Sequence, residues 1–319
     1  CLMADGVCVP VPVFFSRSQT EHLIQRAGLD ALVFSGEAEQ AEMIGHGVWL
    51  RHLPVSPAAS WMPEHTGKIT FTSGSTGTPK GVCLSAQQLA ATAGALQQRL
   101  EGVELEQHLC ILPLATLLEN IAGVYLPLLM GATVTVAPLQ TLGMTGSSGL
   151  DLGQLVAGLN RHQPHSVILV PELAMALVNA GEQGLLTTDS FRFLAVGGGR
   201  VSPDLLARGR SIGLPLYEGY GLSETSPSTT CNPTDSKAYT GTIGVPLPST
   251  WLKLLDDNGN EVALGEPGEI AIKGPQVMAG YWQRPDETAK VMTGDGYFKS
   301  GDIGVVDERG YFKVVDRKK

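Results

Sequence analysis

The residues best suited to chemistry lie in one ten-residue run, TSGSTGTPKG at 72 to 81. Gly74, Gly77 and Gly81 let a backbone approach a ligand closely, Thr72, Ser73, Ser75, Thr76 and Thr78 offer hydroxyl donors, and Lys80 offers positive charge. Together they could wrap a phosphate chain. The lysine follows Thr78-Pro79 rather than a GK[ST] step, so the spacing is not that of a Walker loop. A flexible Ser/Gly linker has a similar composition. The position of the run favours a phosphate site, because it follows the apolar stretch Ile69 to Phe71 and precedes a capped helix start at Ser85. Further along, YEGYGLSE at 217 to 224 sets Tyr220 on a glycine-flanked turn and ends on Glu224, and Gly197, Gly198 and Gly199 follow a strand end. KSGDIG at 299 to 304 and DRKK at 316 to 319 add Asp302 and Arg317, which singly read as surface salt-bridge partners.

Elements must position these groups. Short apolar runs alternate with helical patterns over the first three quarters of the chain, the signature of βαβ units and a largely parallel sheet. Strands are expected at Ala31 to Phe34, Lys68 to Thr72, Ala132 to Ala137, Ser166 to Val170 and Phe191 to Val196. Ser85 with Gln88 forms a capping box for a helix with the stripe Leu89, Ala93, Leu96 and Leu100, and Ser202-Pro203 opens another. After about Gly241 the pattern turns to alternation and hairpins around Asn258-Gly259 and Arg309-Gly310. The expected fold class is therefore α/β, with layered α/β subdomains over 1–240 and a smaller antiparallel β subdomain over 241–319.

Composition bounds the function. The chain has 319 residues, 43% of them hydrophobic, enough for a large core in two or three subdomains. A net charge of -9 lacks the basic footprint of a nucleic-acid partner. Five scattered cysteines without a CxxC pair fit reduced thiols and a cytosolic home, peripheral membrane contact being left open. Leu109 to Leu142 is the most membrane-like stretch, but Glu119, Asn120, Pro113 and Pro127 interrupt it, so it reads as buried helix and then strand. His162 and His165 flank Pro164 without a third ligand nearby and read as a solvated helix end. Cys1 opens in mid-pattern and Lys319 closes a strand-like run, so the chain reads as a fragment.

TSGSTGTPKG resembles the phosphate-loop signature of the adenylate-forming superfamily of acyl-CoA synthetases, peptide-synthetase adenylation domains and luciferases, and the later motifs follow in that superfamily's order. The resemblance implies its large N-terminal domain, without the C-terminal domain, and cofactors ATP and Mg2+ with CoA as co-substrate. It implies that Tyr220 stacks on adenine, that Ser223 contacts phosphate in place of the usual threonine, that Glu224 binds the Mg2+, and that Asp302 and Arg317 hold the ribose. Thr76, Lys80, Ser223 and Glu224 are then the catalytic set. Thr72 through Gly77, Gly197 to Gly199 and Gly221 join the nucleotide site. Lys319 falls at the domain hinge, and GEIAIKGPQVMAGYW at 268 to 282 resembles the next family motif, with Tyr281 and Trp282 in a mainly structural role.

LPLATLLENIAG, at 112 to 123, resembles the segment that lines the acyl pocket of long-chain synthetases, which assigns Leu114 and Thr116, with Gly198 and Gly221, to the substrate. Thr116 stands where that branch has an aromatic or histidine gate. Glu119 is the only charged residue from Leu112 to Gly131, which disfavours an amino-acid substrate. The expected reaction is activation of a medium- or long-chain fatty acid to an acyl-adenylate, then transfer to CoA. Rival expectations are a ligase that loads a carrier protein and a nucleotide-binding module without turnover.

Overall fold

A computed structural model describes residues 6–12, 14–35, 41–45, 48–54, 61–72, 79–145, 149–232 and 240–318. Ser73, Gly74, Ser75, Thr76, Gly77 and Lys319 lie outside the described residues.

The centre is a seven-stranded sheet in the spatial order Val245–Pro246, Thr230–Cys231, Leu216–Tyr220, Phe193–Val196, Ser166–Leu169, Gln107–Cys110 and Thr133–Val136. The last five run parallel, and the two short strands at the other edge are antiparallel. Ser166–Leu169 is fully buried and reads as a continuous apolar run after its serine, as expected of a strand covered on both faces. Helices Ala86–Arg99, Leu152–His162, Pro171–Glu182 and Pro203–Ser211 supply the covering side chains. Each starts where local chemistry directs it: Ser85 and Gln88 complete a capping box, Asp151 and Ser202 cap with side-chain oxygens, and Pro171 and Pro203 occupy first turns. The stripe Leu89, Ala93, Leu96 and Leu100 is buried throughout.

All five expected strands form, within a residue or two of the limits read from the sequence. The strand before the phosphate-loop run and the capped helix start at Ser85 both form, but a strand absent from the sequence reading stands between them. Lys80–Ser85 is that strand, paired antiparallel with Thr66–Thr72 in a register that sets Thr72 opposite Lys80. The stretch Lys80 to Leu84 fits a strand because Val82, Cys83 and Leu84 are wholly buried against a second core. The segment after Leu112 is helix and then strand as expected, and within its helix Glu119–Tyr125 widens into a π-helical turn before the helical turn Leu126–Leu129.

A four-stranded antiparallel sheet follows, ordered Trp251–Leu255, Gly268–Lys273, Phe298–Val306 and Phe312–Arg317. It does not hold the whole C-terminal stretch, since Val245–Pro246 joins the large sheet and Gly280–Tyr281 pairs with Lys80–Ser85. Leu254, Ile270, Ile272, Phe298 and Phe312 share the second core with Val82 and Leu84, so this sheet and Lys80–Ser85 are packed together.

Candidate nucleotide and acid site

The strand Leu216–Tyr220 ends beside the glycines that follow Phe193–Val196, at the carboxyl ends of parallel strands, where open α/β sheets leave a crevice. The crevice is a cavity of about 670 Å3 lined by Gly198, Gly199, Tyr220, Gly221, Asp302 and Arg317 among others. Two glycines are structurally required. Gly198 has φ +79°, and a Cβ on Gly221 would sit 1.9 Å from the Pro227 carbonyl oxygen.

Two motifs 82 residues apart meet here: the Tyr220 hydroxyl donates to Asp302 Oδ2 at 2.7 Å. Arg317 Nε lies 3.8 Å from the other carboxylate oxygen, with its side chain largely exposed. Burial, then the Asp302 charge, holds the Tyr220 phenol well above its ordinary pKa, so it remains a donor. Glu218, also on the cavity wall, is pushed up to about 7 by burial, opposed by a Val201 backbone hydrogen bond and by Arg200.

Glu224 sits apart from this cavity on the short turn Ser223–Thr225, with Ser223 half-buried beside it. Its carbonyl accepts from Met278 N at 2.7 Å, which ties the turn to the 268 to 282 motif. Glu224 Oε1 accepts from the Tyr281 hydroxyl at 2.8 Å, and Oε2 has no hydrogen-bond partner among the described residues. One held and one open oxygen on a single carboxylate suit a hard cation that takes its other ligands from phosphates and water. Lys80 Nζ lies 5.0 Å from the centre of the same Tyr281 ring and pairs with Glu287 at 2.8 Å. Tyr281 is therefore the common support of Glu224 and Lys80, a role beyond the structural one the sequence suggested. No spacing signal links Tyr281 to either, because the contacts cross 57 and 201 residues.

Of the remaining sequence candidates, Thr72 donates weakly to the Lys80 carbonyl at 3.5 Å. Gly197 lines an enclosed apolar pocket of about 40 Å3 with Leu118, Ala122, Phe193 and Tyr217, and this pocket shares Gly198, Gly219, Tyr220 and Gly221 with the larger cavity. Phe193 and Tyr217 stack there with ring centroids 5.4 Å apart. Leu114 is brought elsewhere, into a separate cleft, and Thr116 is exposed and lines none of these spaces. Leu118 and Ala122, which do line the apolar pocket, come from the helical segment that follows Leu114. Glu119 is fully buried and points to neither space: it bonds His108 Nε2 at 3.2 Å and accepts from Leu112 N at 3.3 Å. His108 in turn meets Ser166 Oγ at 2.8 Å. His108, Cys110 and Glu119 are, among the described residues, the one His/Cys/carboxylate cluster close enough to hold a metal, but its hydrogen bonds are already satisfied within the protein.

An open α/β sheet thus carries a glycine-lined crevice with a tyrosine-bound carboxylate on its wall, and a half-open carboxylate, Glu224, stands apart from it. The sequence model described as AMP-binding enzyme matches residues 1–282, and the chain belongs to that family. It is 39% identical to a long-chain-fatty-acid–CoA ligase of Yersinia pestis over 261 residues, 80% of this chain and 44% of the relative. It is 32% identical to a feruloyl-CoA synthase of Amycolatopsis sp over 334 residues, covering all of this chain and 65% of the relative. Among solved structures, ATP-bound MatB from Rhodopseudomonas palustris matches with a TM-score of 0.70 at 26% identity, over 81% of this chain and 49% of that one. The chain thus spans about half the length of the long-chain ligases it matches. Among the described residues no helix is long and apolar enough to cross a membrane.

Proposed function

We propose that this chain carries the nucleotide and acid site of an ATP-dependent acid–thiol ligase, whose substrate is a carboxylic acid with an apolar body, such as a fatty acid. The observation that carries the reading is the Tyr220–Asp302 hydrogen bond, which joins two distant motifs on the wall of a nucleotide-sized cavity. Tyr220 offers its ring to adenine, and Asp302 with Arg317 can clamp a ribose diol through acceptor and donor pairing.

In the reaction a carboxylate oxygen attacks the α-phosphorus, the bond to the bridging oxygen breaks, and pyrophosphate leaves. A thiol, CoA in this reading, then attacks the acyl carbon and expels AMP. Neither step needs a side-chain nucleophile, so the residues act by orientation and charge. Glu224 would hold Mg2+, which supplies charge neutralisation on the phosphates. Lys80, the phosphate-loop hydroxyls and Ser223 would complete the phosphate contacts. Release of Lys80 from Glu287 is required for it to reach them.

The acyl body would enter past Gly198 and Gly221, between Leu118, Ala122 and the Phe193–Tyr217 pair, and these side chains must move apart to admit it, since about 40 Å3 holds only a few water-sized groups. Nothing charged lines that pocket, which disfavours a zwitterionic acid. The stacked rings support a second reading, an aromatic acid of the kind named in the feruloyl-CoA synthase relative. Acid-dependent exchange of labelled pyrophosphate into ATP tests the chemistry, and a panel of octanoate, palmitate, cinnamate-type acids and amino acids tests the class. Exchange with none of them leaves only a nucleotide-binding module.

A further inference from the structure

Beyond the nucleotide cavity and the apolar pocket, the chain holds a cleft of about 940 Å3 that shares no lining residue with either. Its volume is in the range of small-molecule sites. Apolar side chains dominate its wall, among them Val11, Leu112, Leu114, Val136 and Leu139. One charged residue lines it among the described residues, and that residue is Lys68.

Lys68 is 4% exposed, an unusual burial for a lysine without a carboxylate partner among the described residues. None of the ion pairs among the described residues includes it. Its Nζ donates to Asn120 Oδ1 and stands 5.7 Å from the centre of the Tyr125 ring, and both of those residues line the cleft. Glu119, the buried acid next to Asn120 in the chain, is occupied by His108 and Leu112 N instead. A buried ammonium whose neutral neighbours satisfy it only in part is costly to keep, and its ready remedy is an anion delivered from outside.

We propose that this cleft binds a monocarboxylate with an apolar body, its carboxylate paired with the Lys68 ammonium and its body against Val11, Leu114 and Leu139. The charge count selects the head group, since a single lysine neutralises one negative charge and a phosphate dianion would leave the second uncompensated. The Asn120 amide and the Tyr125 phenol supply further donors; burial raises the pKa of that phenol, so it keeps its proton. The apolar walls select the body. The site does not depend on the proposed reaction, and it is not the pocket assigned there to the acyl chain.

Cys8 provides a reporter, because it lines this cleft and is half-buried, whereas Cys83, Cys110 and Cys231 are buried. The rate of Cys8 alkylation by N-ethylmaleimide, read by peptide mass mapping, is measured with and without octanoate at fixed pH. At octanoate near ten times its Kd, labelling is expected to slow about tenfold. Octanol, equal in chain and lacking the charge, should protect far less, and Lys68→Met should lose the octanoate protection. Equal protection by octanol and octanoate, no protection by octanoate, or undiminished protection in a folded Lys68→Met variant each overturns the proposal. The octanol comparison needs no variant, so the test survives a substitution that fails to fold. Pyrophosphate exchange on the same samples reports on the proposed reaction separately.

Discussion

The two carboxylates proposed for nucleotide binding use one device with different outcomes. At each, a tyrosine from a distant motif holds a carboxylate: Tyr220 on Asp302 at 2.7 Å, and Tyr281 on Glu224 at 2.8 Å. At Asp302, the proposed ribose contact, the second oxygen lies near Arg317 and the carboxylate is buried. At Glu224, the proposed phosphate-side group, the second oxygen is unclaimed among the described residues, and the cation at hand, Lys80, is committed to Glu287. A carboxylate with both oxygens engaged can recognise a neutral diol. One with an open oxygen is left for a cation, so the neighbours of each group separate two sites that the residue types alone would not.

The largest effect should come from Glu224→Gln, which removes the metal-binding charge with little change in volume. Adenylate formation should fall roughly a thousandfold, corresponding to several kcal/mol of charge stabilisation. Near-normal pyrophosphate exchange at saturating Mg2+ would sink the assignment. Asp302→Asn should instead weaken AMP binding by about ten- to a hundredfold, the value of a charged hydrogen bond or two, while the Mg2+ requirement stays put. Calorimetry with AMP checks the first half, and a Mg2+ titration the second.

The paired tyrosines sharpen the contrast. Tyr281→Phe frees Glu224 and should raise the Mg2+ needed for half-maximal exchange by about ten- to a hundredfold. Tyr220→Phe keeps the ring but loses the bond to Asp302, so nucleotide affinity should change and the Mg2+ requirement should not. Identical profiles for the two variants would erase the distinction drawn here. Lys80→Ala should be milder, roughly fivefold in exchange rate, because its ammonium is already shared with Glu287 and contributes as one partly exposed pair.

The smallest effect is on stability. The folded Glu218 carboxyl is pushed up to about 7 from an ordinary 4.5, so between those values the folded chain binds more protons than the unfolded one. Stability should therefore fall as pH rises through that window, by up to about 1.4 kcal/mol per pH unit. Denaturant unfolding at several pH values reads the slope, and Glu218→Gln should flatten it. A slope of the opposite sign would mean that Arg200 and the Val201 amide outweigh burial.

The sequence by itself determined the parallel core, the helix starts and the family, because these rest on local signals. The Ser85 capping box, the Leu89 to Leu100 stripe and the strand Ser166 to Leu169 are each specified by neighbours a few residues away, and the motifs were legible as short words in order. The strand at Lys80–Ser85 escaped because its apolar residues answer to a core built largely from residues 243 to 312. The pairing of Tyr281 with Glu224, the diversion of Lys80 to Glu287, the removal of Leu114 from the apolar pocket and the isolation of Lys68 were decided by tertiary structure alone. Each depends on which side chains arrive at one point from sequence positions tens to hundreds of residues apart. That arrival sets burial and partner, and burial and partner decide whether a charge is engaged or left for a ligand.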